Sequence, residues 1–244
     1  MAKAKYQYKG RSKIVSEVPK RKTSSSNTLI DKCSFIIIAS YPIAGVRKLG
    51  CPLINEHYDD QVLDLHLDLI NSICRNPNIM VVAGFDVKKL FKYKRRNEFQ
   101  IIENTIFEFT NSSEDLRIAL NAIARDYTVI LDGAFLPSVE TYKLLLTDLN
   151  VSKVVYSNRQ SQCVGVNITE ENIVNYFGYK CENKTKGAYY LSMEDFDKIR
   201  KRTFGSSFNK NRFDYEMLEE LKMTAVEDKS KSMRLDENYD ISDQ

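Results

Sequence analysis

Unbroken apolar runs alternate along this chain with stretches whose apolar residues recur every three or four positions. Residues 35–39 read Phe-Ile-Ile-Ile-Ala, 78–83 read Asn-Ile-Met-Val-Val-Ala, and 127–131 read Tyr-Thr-Val-Ile-Leu. Strands covered on both faces look like this, with no polar alternation. A shorter run at 99–102 predicts a further strand. Between the runs, Val62, Leu65, Leu69 and Ile73 form one helical stripe with Leu63, Leu67 and Ile70 beside it. Leu116, Ala119, Leu120 and Ile123 form another. Asp59 and Asp60 precede the first helix and Thr110-Asn111-Ser112-Ser113 the second, both start signals. Strands alternating with amphipathic helices predict an α/β fold, a mostly parallel sheet flanked by helices with right-handed crossovers.

The second half continues less regularly. The pattern predicts a helix over 138–149, strands over 153–156, 163–168 and 187–191, and an extended piece over 172–179. Ser192, with Glu194 and Asp195 behind it, caps a helix to about Arg202. A last helix is expected over 213–223. Residues 87–93 read as a short helix entering a basic patch (Lys92, Lys94, Arg95, Arg96), expected to be solvated. Thr105 to Phe109 reads as extended, and His66 as a packing residue at its helix edge.

Charge changes the picture of the ends. Residues 1–30 hold eight of the 36 basic side chains and one of the 33 acidic ones, so the rest carries 28 basic against 32 acidic. The net +3 therefore sits in an arm without apolar periodicity, suited to a protein or nucleic-acid partner. From 224 the chain is again charged and reads as a loose tail. The expected organisation is a basic arm (1–30), one domain (31–223) and a charged tail (224–244), both tails flexible. No apolar run approaches a membrane span and the basic start lacks an apolar core, so a cytoplasmic protein without a membrane partner is expected. Five cysteines with no C-x-x-C pair, and two histidines, offer no zinc spacing and fit reduced thiols. Lys-, Asn- and Ile-rich usage would suit an AT-rich genome such as a viral one.

The candidate chemistry lies where strands end. SFIIIASYPIAGVRKLGCPL (34–53) is a buried strand running into a loop with Gly45, Arg47 and Lys48. YTVIL ends in Asp132-Gly133. Open α/β sheets place ligands at such carboxyl ends. Backbone N–H groups and Arg47 suit phosphates, and a carboxylate suits a divalent cation.

Over roughly residues 33–222 this order resembles the sugar-phosphate nucleotidyltransferases of GT-A-like, Rossmann-type fold. The resemblance rests on IIIASYPIAGVRKLGCPL in place of their glycine-rich loop, and on NIMVVAGFD, IIENTIFEFTNSSEDLRIAL and YTVILDGAFL. GVNITEENI and GAYYLSMEDFDKI follow in register. It implies in-line attack on an NTP α-phosphate by a phosphorylated acceptor, with loss of pyrophosphate. It places Ala39, Gly45, Arg47, Asn111 and Gly133 around the nucleotide and Arg47, Lys48 and Asp132 in catalysis. Asp132 and Asp214 would hold Mg²⁺. Tyr41 and Ile43 stand where the family has glycines, Leu53 where it has Lys, and Ala134 where it has the metal-binding Asp. These departures imply a nucleotidyltransferase-like pseudoenzyme that binds a nucleotide or sugar nucleotide or acts as a scaffold. Two alternatives stand beside it: an active, divergent nucleotidyltransferase or glycosyltransferase using Mg²⁺, and a structural subunit of a larger, viral assembly.

Overall fold

The structure, a computed structural model, describes residues 30–44, 49–54, 62–159, 164–205 and 208–235. Gly45, Arg47, Lys48, the helix start at Asp59-Asp60, Cys163 and residues 1–29 and 236–244 lie outside the described residues. Strand β1 (Ile30–Ala39) is followed by the short ladder of β2 (Ile43–Ala44) and β3 (Leu49–Gly50). Next come α1 (Val62–Ile73), β4 (Cys74–Ala83), α2 (Val87–Phe91) and β5 (Gln100–Glu103). Then α3 (Ser112–Ala122), β6 (Thr128–Asp132), β7 (Phe135–Leu136) and α4 (Val139–Leu146) follow. The antiparallel part comprises β8 (Lys153–Ser157), β9 (Val164–Ile168), β10 (Val174–Tyr179) and β11 (Asn183–Leu191). The described chain closes with α5 (Met193–Thr203), α6 (Asp214–Leu218), β12 (Thr224–Glu227) and β13 (Met233–Arg234).

The main sheet runs β10-β9-β11-β6-β1-β4-β5, with β8 on β11 and β12 on β8. Its centre, β6-β1-β4-β5, is parallel, as expected. β11 then crosses antiparallel beside β6. Alternate residues of β1 explain why its run is apolar throughout. Phe35, Ile37 and Ala39 join a cluster with Leu63, Leu67 and Ile70 of α1 and Tyr142 and Leu145 of α4. Ile36 and Ile38 join the opposite cluster with Leu116 and Leu120 of α3 and Phe196 and Ile199 of α5. Each such side chain is worth about 1.5–3 kcal/mol of burial, so a polar residue on either face of β1 would be costly.

Several local expectations are corrected. Residues 107–109 form a 3-10 turn, not a strand. The last helix stops at Leu218, because Leu221 and Met223 close turns that lead into β12. His66 is fully buried rather than at an edge, and burial lowers its pKa to about 4, so it packs as a neutral ring. Within the basic patch Arg95 is not simply solvated: its guanidinium bridges Asp64 and Asp68 of α1 to Glu98.

The largest correction concerns the region read as a loose tail from 224. Thr224–Glu227 is a strand parallel to β8, with Ala225 buried and Val226 packed on the core. The chain then folds back as a strap, residues 228–235. Met233 and Arg234 pair antiparallel with Leu136 and Phe135, and Leu235 is buried. Asp228 anchors the strap. Its Oδ2 accepts from Thr141 Oγ1, Ser232 Oγ and Lys186 Nζ at 2.8, 2.9 and 3.1 Å, and its Oδ1 accepts from the Ser230 N–H.

Candidate functional site

The chain leaves β1 to build β4 and β5 on one side, then returns to place β6 on the other. The carboxyl ends of β1 and β6 therefore flank a topological switch point, where open α/β sheets open a crevice. Ile38 pairs with Asp132, so Ala39 and Gly133 lie side by side at that edge. The Gly133 N–H donates to the Ile38 carbonyl at 2.7 Å, and a Cβ on Gly133 would stand 2.8 Å from that oxygen. It would also meet Ala39 Cβ and Pro52 Cγ at 3.1 and 3.3 Å. Glycine is required here because the Ile38 carbonyl and the Ala39 and Pro52 side chains leave no room for a Cβ.

Asp132 ends β6 with its carboxylate partly exposed. Oδ1 accepts from the Ala134 N–H at 2.9 Å, and Oδ2 accepts from Arg234 Nη2 at 2.7 Å. Arg234 Nη1 also donates to the Lys186 carbonyl. Gly187, at φ 74°, lies against this pair: a Cβ there would be 2.8 Å from Asp132 Cβ and 2.9 Å from Arg234 Nη1. Asp214 opens α6 and accepts from Ser112 Oγ at 2.8 Å. Burial raises the pKa of its carboxyl, and the negative charge of Asp132 pushes in the same direction. Tyr189, buried on β11, has its phenol pKa raised by burial and by the charges of Asp214 and Asp132. The two carboxylates thus act on the same corner from β6 and α6.

The remaining predicted residues divide clearly. Ala39 and Gly133 are together, and Asp132 is beside them; Asp214 is within electrostatic reach. Asn111 caps α3, but its side-chain amide donates to the Asn211 carbonyl at 2.6 Å and its N–H to the Lys210 carbonyl, tying it to the loop before α6. Leu53 and Ala134, which the resemblance sets in place of a Lys and an Asp, are 0% and 2% exposed, so each belongs to the core. Tyr41 leans across the edge. Its hydroxyl donates to the Thr110 carbonyl at 2.9 Å and its ring meets Phe107 edge-on.

Asp132 and Asp214 are the carboxylates a divalent cation would meet at this corner, and both are held by protein donors. Each oxygen of Asp132 already accepts a hydrogen bond, one of them from a cation, and Asp214 accepts from Ser112. Among the described residues no three His, Cys, Asp or Glu side chains are grouped to hold a metal ion. Sequence reasoning missed Arg234 and Gly187. No local pattern marked Arg234, whose strand is only two residues long.

No protein-family model matches the chain, and no curated protein sequence matches it. Solved structures do. CTP:phosphocholine cytidylyltransferase from Streptococcus pneumoniae superposes with a TM-score of 0.65 at 12% identity, over 84% of this chain and 93% of the other. The chain has the nucleotidyltransferase fold. The inositol-1-phosphate CTP transferase from T. maritima has a TM-score of 0.64 at 12% identity, over 82% and 86% of the two chains. UDP-glucose pyrophosphorylase, solved with UDP-glucose, has a TM-score of 0.64 at 14% identity, over 85% and 94%. The nucleotidyltransferase-fold sheet accounts for the switch point at β1, and the strap supplies Arg234 to it. No helix among the described residues is long and apolar enough to cross a membrane.

Proposed function

We propose that this chain binds a nucleotide or sugar nucleotide in the crevice at the ends of β1 and β6, and holds it without transferring it. The observation that carries this reading is the state of Asp132, whose carboxylate is engaged by Arg234 and the Ala134 N–H at the switch point. Buried Leu53 and Ala134 support the loss of turnover, since neither can balance charge on a phosphate in flight. The ligand class is proposed by analogy with the fold neighbours, two of which are named for CTP and one of which was solved with UDP-glucose. In this reading Arg47 and the backbone around Gly45 face the phosphates, and Asn111 shapes the rim.

A second reading, an active transferase, draws on Asp132 and Asp214, whose negative charges act on one another. One pair of assays separates them. Thermal shift against CTP, UTP, ATP, GTP and UDP-glucose is expected to raise Tm for at least one ligand; saturation at 100 times Kd stabilises by about 2.7 kcal/mol. Pyrophosphate release with sugar phosphates or phosphocholine, with and without Mg²⁺, is expected to stay at background. Turnover would favour the transferase, and a flat Tm against every nucleotide would remove the binding reading. Arg47→Ala should weaken binding about tenfold, the worth of one charge-assisted hydrogen bond. Unchanged affinity would mean that this loop is not the phosphate loop.

A further inference from the structure

The end of α5 and the loop after it hold six basic residues and no acidic one between 198 and 212, with Phe204 and Phe208 set among them. Lys198 is paired with Glu194 and Asp195, and Arg202 with Glu220. Arg200, Lys201, Lys210 and Arg212 make no ion pair among the described residues. Phe204 keeps helical backbone angles, with Arg200 and Lys201 four and three residues before it, so the last turn brings the three to one face. Phe204 itself is 69% exposed. Thr203 and Gly205, on either side of it, line a cleft of about 570 Å³ whose other walls include Arg117, Phe208 and Lys210. Arg117 lies over the Phe208 ring at 5.8 Å and is held there by Glu114. The loop carrying Lys210 and Arg212 is tied down by its carbonyls. Those of Asn209 and Asn211 accept from Ser113 Oγ and Asn111 Nδ2, and those of Lys210 and Arg212 from the Asn111 and Ser113 N–H groups. All four residues of the loop are nevertheless exposed, so a fixed backbone presents unpaired cations to solvent.

We infer that this face binds a single-stranded nucleic acid, with phosphates on Arg200, Lys201, Lys210 and Arg212 and a base stacked on Phe204. It is a second ligand surface and does not rest on the nucleotide reading of the crevice at β1 and β6. Cations spaced along a fixed surface track a phosphate backbone, and an exposed ring among them takes the face of any base. The bases of a duplex are already stacked on one another and would leave Phe204 without a partner. An acidic peptide would satisfy the charges but brings no base face to the ring. The cleft beside Phe204 lies within the range of about 300–1,000 Å³ that encloses small ligands, room for a further nucleoside against Phe208.

The test uses the full chain and follows the anisotropy of a short fluorescein-labelled oligouridine across a KCl series. Wild type is expected to bind, with affinity falling steeply as salt rises. Phe204→Ala should weaken binding by at least about fivefold, the low end for loss of one stacked base. The triple variant Lys201→Ala, Lys210→Ala, Arg212→Ala keeps the carbonyls that hold α3. It should flatten the slope of log K against log salt by about 2, since each phosphate contact on a single strand contributes roughly 0.7. Any contribution of the basic arm at 1–30 is common to both proteins and cancels. Lys143→Ala, an exposed site on α4 across the sheet, should change nothing. No binding by wild type would overturn the inference, as would a triple variant that binds with unchanged affinity and slope, which would hand the strand to the arm. Displacement of the strand by excess UDP-glucose would place it in the crevice instead and overturn the inference too. Competition by polyglutamate as effective as by unlabelled oligouridine, with Phe204→Ala binding like wild type, would mark an acidic protein as the partner and overturn it likewise.

Discussion

Two buried aspartates, one under the end of β1 and one in the strap, are driven in opposite directions by their surroundings. Asp115 of α3 accepts from Ser40 Oγ and Asn104 Nδ2, both at 2.8 Å and both on Oδ1, while Oδ2 has no partner among the described residues. Burial pushes its pKa up to about 7; the two donors oppose the shift, and the charges of Asp214 and Glu114 add to it. For Asp228, burial also pushes upward, yet its pKa falls to about 2 because hydrogen bonds from Ser230, Thr141 and Ser232 outweigh it. Lys186 adds a cation at 3.1 Å. Burial alone does not decide the charge state of a carboxyl; the number of donors and the sign of the nearest charge do. One region is consequently a pH-sensitive support beneath the end of β1. The other is a permanent clasp that keeps Arg234 on Asp132.

The hardest way to break the contrast is Asp228→Asn. It leaves the largely buried Lys186 ammonium without its counter-charge, and breaking such a pair costs about 3–5 kcal/mol. Urea denaturation at pH 7 measures this. The folded-state pKa of Asp228 lies below its unfolded value, so its contribution is full above about pH 4 and is lost as pH falls toward 2. The gap between wild type and variant should therefore close on acidification. A gap that stays constant would mean that the clasp is not ionic.

Asp115→Asn tests the other side. The raised folded-state pKa means a penalty that is absent near pH 4 and grows as pH rises to about 7, because the unfolded chain gives up its proton first. The variant is expected to be more stable than wild type at pH 8 by on the order of 2 kcal/mol, with the difference vanishing near pH 4. A difference that does not change between pH 4 and 8 would mean that Asp115 does not titrate in that range.

Two smaller changes sharpen the comparison. Ser232→Ala removes one of several donors to Asp228 and should cost about 1 kcal/mol. Ser40→Ala removes one of the two side-chain donors to Asp115 among the described residues; it should cost roughly 0.5–1 kcal/mol at low pH and more at pH 8, as the carboxylate loses a donor. Equal losses at both pH values would argue against a titrating Asp115.

What could be read without coordinates was whatever is coded locally. The runs at 35–39, 78–83 and 127–131 announced a parallel centre, since only strands covered on both faces are apolar at every position. Asp132 was legible because a charge terminating such a run must lie at the sheet edge. The departures at Leu53 and Ala134 were visible as residue types, although only packing revealed both as core. Arg234 was not legible. Its strand is two residues long, too short to carry a period, and its partner strand lies about a hundred residues earlier, so its place depends on a pairing that no local pattern encodes. The same holds for Asp228, an acidic residue in a charged stretch until Thr141, Lys186 and Ser232 converge on it. Hydrophobic order along the chain determined the layers and the strand ends. Which charge meets which carboxylate was decided by long-range strand pairing, because electrostatic partners are chosen by distance in space and not by position in sequence.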